Sequence, residues 1–155
     1  MILQTTHDDY AALILGKAPR SLILADTPIA PVEVLQMLAG VAAQVRETFS
    51  PVSWLIAENN ELVGLCSITR PPHAGEIDIG YGIAPSRQNR GIASRAIGEI
   101  VLWARSTASL NAITAETSVA NTPSQQVLRH NGFAVVGERV DEEDGPLLCW
   151  RCATD

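Results

Sequence analysis

Several features of other protein classes are scarce or absent in this chain. Cysteine occurs three times, and the first residues include early acids but no basic segment followed by an apolar stretch. We therefore expect reduced thiols and a cytoplasmic location, and we expect that the chain has no signal peptide. No apolar run is long enough to span a bilayer, so no membrane association is expected.

Positive charge is also in short supply. The chain has 11 Lys and Arg against 17 Asp and Glu, a formal net charge of −6. A nucleic-acid partner needs a concentrated basic surface and is therefore disfavoured, whereas a cationic amine substrate would be attracted.

Signatures of several common sites are missing as well. No Gly-Lys-Ser or Gly-Lys-Thr occurs, which excludes a P-loop, and Pro85 stands where a dinucleotide-binding loop starting at Gly80 needs its third glycine. Cys149 and Cys152 would point to opposite faces of a strand, with no second pair to complete a zinc site. The histidines are scattered, so we expect no metal: His7, His73 and His130.

What the chain does contain is a series of short periodic segments. Its 155 residues are 46% hydrophobic and show no repeat or long linker, which predicts a single domain over 1–155. Apolar spacing predicts helices over 8–15, 32–49, 91–105 and 122–130, and strands over 22–25, 54–57, 62–69, 76–84, 112–119, 133–140 and 146–152. Antiparallel hairpins at both ends favour a mixed α+β fold over a purely parallel sheet.

The segment between strand 76–84 and helix 91–105 carries the clearest chemical signal. Main-chain N–H groups at a helix N-terminus are unpaired and lie at the positive end of the helix dipole, so they can bind a diphosphate. Gly91 and the small Ala93 allow close approach, and Arg87 and Arg90 add positive charge. The alternative interpretation is an ordinary loop with a capping glycine.

At these residues the chain resembles the GNAT superfamily of acetyltransferases. The family's cofactor motif is Gln or Arg, two residues, Gly, one residue, then Gly or Ala, and Gln88-x-x-Gly91-x-Ala93 satisfies it. The resemblance extends to Ile83-Ala84-Pro85 and to Asn121-x-x-Ser124-x-x-Val127-Leu128-x-x-x-Gly132-Phe133. The string Asp78-Ile79-Gly80-Tyr81 and Ser124 look closest to the branch of ribosomal-protein N-terminal acetyltransferases, whereas the N-terminal third matches only loosely.

The resemblance implies a fold and a cosubstrate. The GNAT fold is an α/β arrangement with a mixed, mostly antiparallel sheet of about six to seven strands and about four helices. Acetyl-CoA is the implied cosubstrate, and its pantetheine arm pairs with the exposed backbone of the first of two splayed strands, where an N–H near Gly82 would polarise the thioester carbonyl. The residues implied to bind it are Ile83, Ala84, Arg87, Gln88, Asn89, Arg90, Gly91, Ile92, Ala93, Ser94 and Asn121.

The chemistry needs a base, because an amine attacks only after losing its extra proton. Asp78 and Glu76 are the candidate carboxylates, since both share a strand face with Gly80 and Gly82. The alternative for each is a solvated strand face without a role.

The departing thiolate needs a proton or a hydrogen bond. Many family members have a tyrosine for this purpose where the chain has Leu128. Ser124 is the substitute that the resemblance implies, with a plain position in a helix's first turn as the alternative. Tyr81 is a weaker candidate, because alternation places it on the apolar face of its strand.

Two functions therefore compete. The first is an N-acetyltransferase that transfers acetyl directly from acetyl-CoA to a primary amine of a small molecule or peptide. The second is a non-catalytic acyl-CoA-binding regulatory or partner-binding module, which Leu128 keeps open. The acidic turn 141–144 is a solvated loop or, near the acceptor, holds a second positive charge. The resemblance also allows a homodimer.

Overall fold

The computed structural model describes residues 1–155, which form helices on both faces of one sheet. The strands are β1 (Ile2–Gln4), β2 (Ile23–Leu24), β3 (Ser53–Glu58), β4 (Glu61–Ile68), β5 (Glu76–Ile83), β6 (Ala112–Ser118), β7 (Ala134–Asp141) and β8 (Gly145–Ala153). The helices are α1 (His7–Ile14), α2 (Val32–Arg46), α3 (Ile92–Arg105) and α4 (Thr122–His130), with a 3-10 turn at Pro85–Arg87. None of the helices combines the length and apolar composition that crossing a bilayer requires.

The sheet is mixed and mostly antiparallel. Its strands follow the order β1-β3-β4-β5-β6-β8-β7, and β2 pairs with the start of β4. Only the β2–β4 and β5–β6 pairs are parallel. The predicted fold class is therefore confirmed, and each predicted helix and strand is present within a few residues of its expected bounds.

Two differences from the predicted elements have local causes. The sequence analysis did not predict β1, because three residues are too few to show strand alternation, and the strand forms through its antiparallel pairing with β3. Helix α2 ends at Arg46 instead of residue 49, because Thr48 and Phe49 both donate their N–H to the carbonyl of Val45 in a closing turn.

The helix starts follow the predicted capping chemistry. Thr6 begins α1 with a capping box, in which its Oγ1 accepts from the N–H of Asp9 at 3.3 Å and its own N–H donates to the Asp9 carboxylate at 2.7 Å. Asn121 caps α4, because its Oδ1 accepts from the N–H of Ser124 at 3.2 Å. Both caps fix where the chain enters a helix that borders the sheet.

Helices cover the two faces of the sheet in pairs. Trp54 on β3 packs edge-on against Trp103 of α3 with ring centroids 5.1 Å apart, while its neighbour Ser53 is 2.7 Å from the hydroxyl of Tyr10 in α1. Successive strand residues point to opposite faces, so α3 and α1 lie on opposite sides. One cluster of 29 buried apolar residues forms the core.

The sheet opens between β5 and β6. Their parallel pairing runs from Glu76 with Ala112 to Ile79 with Ala115 and then stops. The rest of β5 stays paired with β4 as far as Ile83, and the rest of β6 stays paired with β8 as far as Ser118. A gap therefore separates the two strands beyond Ile79.

Candidate active site

A cavity of about 700 Å³ lies at the end of β5, between the following loop and the N-terminal turns of α3 and α4. We call it the loop cavity. It is lined by Tyr81, Gly82, Ile83, Arg87, Gln88, Asn89, Gly91, Ile92, Ala93, Ser94, Asn121, Pro123, Ser124, Gln126, Val127 and His130.

The loop before α3 presents main-chain N–H groups to this cavity. Gly91 occupies the position before the helix with φ of 75°, and no side chain caps the first turn. The N–H groups of that turn therefore have no helical or capping partner. A Cβ on Gly91 would lie 2.9 Å from Nη1 of Arg95, and left-handed backbone is unfavourable for other residues. This arrangement suits a diphosphate.

Nine of the eleven residues implied to bind the cofactor line the loop cavity, and Ala84 and Arg90 do not. Ala84 is fully buried and donates its N–H to the carbonyl of Val63 at 2.7 Å, so its N–H is not the exposed group that the resemblance implied. Because backbone groups alternate sides along a strand, the N–H groups of Tyr81 and Ile83 point toward the gap. These two N–H groups are therefore the available strand donors.

Arg87 forms ion pairs with two carboxylates. Its guanidinium donates to both carboxylate oxygens of Glu61, at 2.6 and 3.0 Å, and to Asp26 at 3.3 Å. The bond raises the pKa of Arg87 and lowers the pKa of Glu61. Two carboxylates thus offset its charge although Arg87 lines the loop cavity, and its role beside a bound anion stays a prediction. Arg90 is exposed, and its positive charge also helps to lower the pKa of Glu61.

A second cavity, of about 370 Å³, occupies the gap between β5 and β6. We call it the splay cavity. It is lined by Ile79, Gly80, Tyr81, Glu116, Thr117, Ser118, Asn121, Ser124, Arg139, Asp144 and Leu147. Three residues border both cavities, which therefore meet at Tyr81, Asn121 and Ser124.

Two hydroxyl groups face each other at this junction. The hydroxyl oxygen of Tyr81 lies 2.7 Å from Oγ of Ser124, and burial raises the pKa of Tyr81 to about 12. Tyr81 lies on the predicted face of β5, the face that α3 and α4 cover. At Tyr81 the covering segment is the polar first turn of α4, so its hydroxyl has a polar partner. Leu128 is fully buried and apolar, so it supplies no proton donor.

The two predicted bases lie outside both cavities. Asp78 is buried, and its carboxylate oxygens accept from the hydroxyls of Thr69 and Thr114, each at 2.6 Å. Glu76, at the start of β5, pairs with Arg151 at 3.3 Å. The structure therefore does not bring Asp78 or Glu76 to the junction with Ser124.

A different carboxylate, Glu116, faces the splay cavity. The guanidinium of Arg139 donates a hydrogen bond to the carboxylate of Glu116, and this bond lowers the pKa of Glu116. The same guanidinium also donates to Asp141 at 3.3 Å. The sequence analysis missed Glu116, although Thr114, Glu116 and Ser118 form a polar alternation along β6 that could have indicated it.

Two carboxylates of the acidic turn have different positions: one is hydrogen-bonded within the turn, and another lines the splay cavity. Asp141 accepts from the N–H groups of Glu143 and Asp144, both at 3.0 Å, and thus stabilises the turn itself. Asp144 lines the splay cavity. No group of three or more His, Cys, Asp or Glu side chains is placed to hold a metal ion.

Comparisons with known proteins agree with this architecture. Residues 1–134 match the family model described as acetyltransferase (GNAT) domain. The chain is 31% identical over 85 residues to the ribosomal-protein-serine acetyltransferase of Escherichia coli, covering 54% of the chain and 48% of that protein. It is 28% identical over 92 residues to the uncharacterized N-acetyltransferase p20 of Bacillus licheniformis, covering 59% of the chain and 52% of that protein.

The chain thus spans about half the length of the curated relatives that it matches. Among solved structures, it superposes on RimL, a ribosomal L7/L12 alpha-N-protein acetyltransferase in complex with coenzyme A. The TM-score is 0.73 with 20% sequence identity, over 99% of this chain and 94% of that one. This likeness supports the fold.

Proposed function

This chain belongs to the GNAT acetyltransferase family, and we propose that it is an N-acetyltransferase that moves an acetyl group from acetyl-CoA to a primary amine. The observation that carries the proposal is the junction of the two cavities at Tyr81 and Ser124. One cavity ends in main-chain N–H groups suited to a diphosphate, and the other opens in the gap between splayed strands.

The residues present fit coenzyme A. The first turn of α3 offers N–H groups to the diphosphate, and Gly91 leaves the approach open. The neighbouring Arg90 is exposed and adds positive charge near this end of the cavity. Ile83 and Tyr81 offer backbone N–H groups along the gap, and Asn121 keeps its side-chain N–H₂ available because its cap uses only Oδ1. Bound acetyl-CoA supplies the thioester whose acetyl group is transferred.

The splay cavity holds the acceptor in this proposal. Asp144 gives it a carboxylate that attracts a protonated amine, and Arg139 pairs with the Glu116 side chain and holds it in place. Glu116 then removes the proton, directly or through water, so that the amine becomes a nucleophile. Asp78 and Glu76 stay alternative bases. Neither lines the splay cavity, so Glu116 is the preferred base.

Ser124 and Tyr81 serve as the proton donors in this proposal. Their hydroxyls are 2.7 Å apart, and the raised pKa of Tyr81 keeps its phenol protonated at neutral pH. A proton that leaves Ser124 toward the thiolate is replaced along the hydrogen bond from Tyr81, and Tyr81 regains a proton from water. This pair takes the place of the tyrosine that the family often has at Leu128.

Acceptor-dependent thiol release tests the function. The protein, given acetyl-CoA and a panel of small amines and peptides with free N-termini, should release free thiol with at least one acceptor. Ser124→Ala should lower kcat about a hundredfold and change coenzyme A affinity far less, and Ser106→Ala, an exposed serine in the turn after α3, is the matched control. Coenzyme A binding without thiol release for any acceptor would favour the non-catalytic module.

We also propose that the chain acts in the cytoplasm as one domain over residues 1–155. Its three cysteines are unpaired thiols, which suits a reducing compartment. A homodimer stays a prediction, and size-exclusion chromatography with light scattering tests it.

A further inference from the structure

A set of contacts from the N-terminal part of the chain reaches the beginning of the diphosphate loop. Arg87 is bound by Glu61 in a two-pronged ion pair and by Asp26, and only 15% of its side chain is exposed. Because a planar guanidinium and a carboxylate pair through two parallel hydrogen bonds, this contact fixes orientation as well as distance.

The neighbouring residues make a second contact of the same kind. The N–H of Ser86 donates to Oγ1 of Thr27 at 3.0 Å, and the two hydroxyl oxygens are 2.9 Å apart. Two consecutive residues of the 3-10 turn are thus held by two consecutive residues of the segment after β2. We call these residues the latch: Asp26, Thr27, Glu61, Ser86 and Arg87.

The loop that follows the latch has two side-chain contacts outside the latch: Nε2 of Gln88 donates to the carbonyl of Ile83, and Nη1 of Arg95 donates to the carbonyl of Arg90, each at 3.1 Å. Residues 88–91 are exposed, and Asn89 and Gly91 have left-handed backbone with φ of 64° and 75°. Glycine and asparagine tolerate left-handed backbone better than other residues, so these two positions let the chain turn sharply between the latch and α3. The helix α3 fixes one end of this loop, and the latch fixes the other.

We propose that the latch holds the diphosphate loop in the conformation that accepts coenzyme A, and that Arg87 is a positioning residue. The inference rests on the proposed function, because it takes coenzyme A as the ligand. The competing account makes Arg87 a phosphate ligand for which Glu61 and Asp26 compete.

The two accounts predict opposite results for Glu61→Gln. This change removes a negative charge near the loop and frees Arg87, so a phosphate-ligand role predicts tighter coenzyme A binding. Loss of a positioning contact predicts weaker binding, by about fivefold or more, measured by calorimetric titration. Unchanged or tighter binding would overturn the proposal. Glu47→Gln, an exposed carboxylate at the end of α2, controls for the charge change.

Arg87→Lys adds a readout that distinguishes charge from geometry. Lysine keeps the positive charge but cannot form the two-pronged pair with Glu61. The latch account predicts that Arg87→Lys and Arg87→Met weaken coenzyme A binding to a similar extent. Affinity retained by Arg87→Lys and lost by Arg87→Met would mean that charge alone matters, and the proposal would fail.

Thr27→Val and Asp26→Asn provide the same test should Glu61→Gln fold poorly. Both should weaken coenzyme A binding, Asp26→Asn by less, since its carboxylate is 83% exposed and its contacts are longer.

Coupling is reciprocal, so coenzyme A should slow amide hydrogen exchange in residues 24–30. Wild-type protein without coenzyme A affinity would refute the proposed function, whereas normal wild-type affinity that these variants leave unchanged would refute the latch alone.

Discussion

The loop cavity and the splay cavity meet at Tyr81 and Ser124, yet they present different chemical groups to a ligand. The loop cavity offers a diphosphate main-chain N–H groups at the turn between β5 and α3, which needs a glycine at one position, and residues of α4 complete its lining. The splay cavity is lined by residues of β5, β6, α4, β7, the β7–β8 turn and β8, and its charged groups are the side chains of Glu116, Arg139 and Asp144. A site built from main chain tolerates most side-chain changes, whereas a site built from side chains depends on each of them.

The largest expected effect is on the splay cavity. Glu116→Gln should lower kcat about a hundredfold, because the amide cannot accept the proton of the acceptor amine. Coenzyme A affinity should stay unchanged, since Glu116 does not line the loop cavity. Steady-state kinetics and calorimetry together check this, with Glu138→Gln, an exposed carboxylate on β7, as the control. Equal losses in both variants would show that only general charge matters.

The loop cavity should respond to backbone strain. Gly91→Ala should weaken coenzyme A binding about tenfold, because left-handed backbone costs other residues about 1–2 kcal/mol and the new Cβ would meet Arg95. Gly40→Ala in α2 is the matched control, because nothing lies within 4 Å of its added Cβ. Calorimetric titration measures both variants. An affinity insensitive to Gly91→Ala would remove the main-chain basis of the comparison.

A third experiment asks whether Asp78 belongs to the site or to the fold. Asp78→Asn should lower the free energy of unfolding by about 1–3 kcal/mol, because Thr69 or Thr114 loses its hydrogen bond to the charged Asp78 carboxylate. Urea denaturation measures this loss. A variant of normal stability that binds coenzyme A and turns over slowly would instead identify Asp78 as the base. The acceptor amine would then react near Asp78 and not near Glu116.

The smallest expected effect concerns the junction at alkaline pH. Tyr81 has a folded pKa of about 12 against an ordinary value of 10.0, so its neutral form contributes stability that is fully present below pH 10. That contribution is lost as the pH rises from about 10 toward 12, because the unfolded chain releases the proton first. Urea midpoints should therefore fall less steeply over this range in Tyr81→Phe than in the wild type. Identical slopes would mean that the phenol is not held neutral by burial.

The same contrast explains which parts could be predicted from the sequence. The strands, the helices, their caps and the glycine loop rest on local patterns, so residues such as Thr6, Asn121 and Gly91 indicated them directly. The partners of Arg87 lie 26 and 61 residues away along the chain, and Glu116 meets Arg139 over 23 residues. No local pattern specifies such contacts. They follow only from which strands become neighbours.

Tyr81 shows a further limit of alternation. The pattern assigned it correctly to the apolar side of β5, but that side is apolar only where α3 covers it. Beyond Ile79 the strand leaves β6 and meets the polar start of α4, so the same face becomes part of the site. Periodicity predicts a face of a strand and carries no information about what covers it.

The most direct test of the account is a calorimetric titration of the wild-type protein with coenzyme A and, separately, with pantetheine, which lacks the diphosphate and the adenosine 3′-phosphate attached to it. If the N–H groups at the start of α3 hold a diphosphate, coenzyme A should bind with one site per chain and pantetheine at least about tenfold more weakly. Equal affinities, or no binding of coenzyme A, would contradict the account.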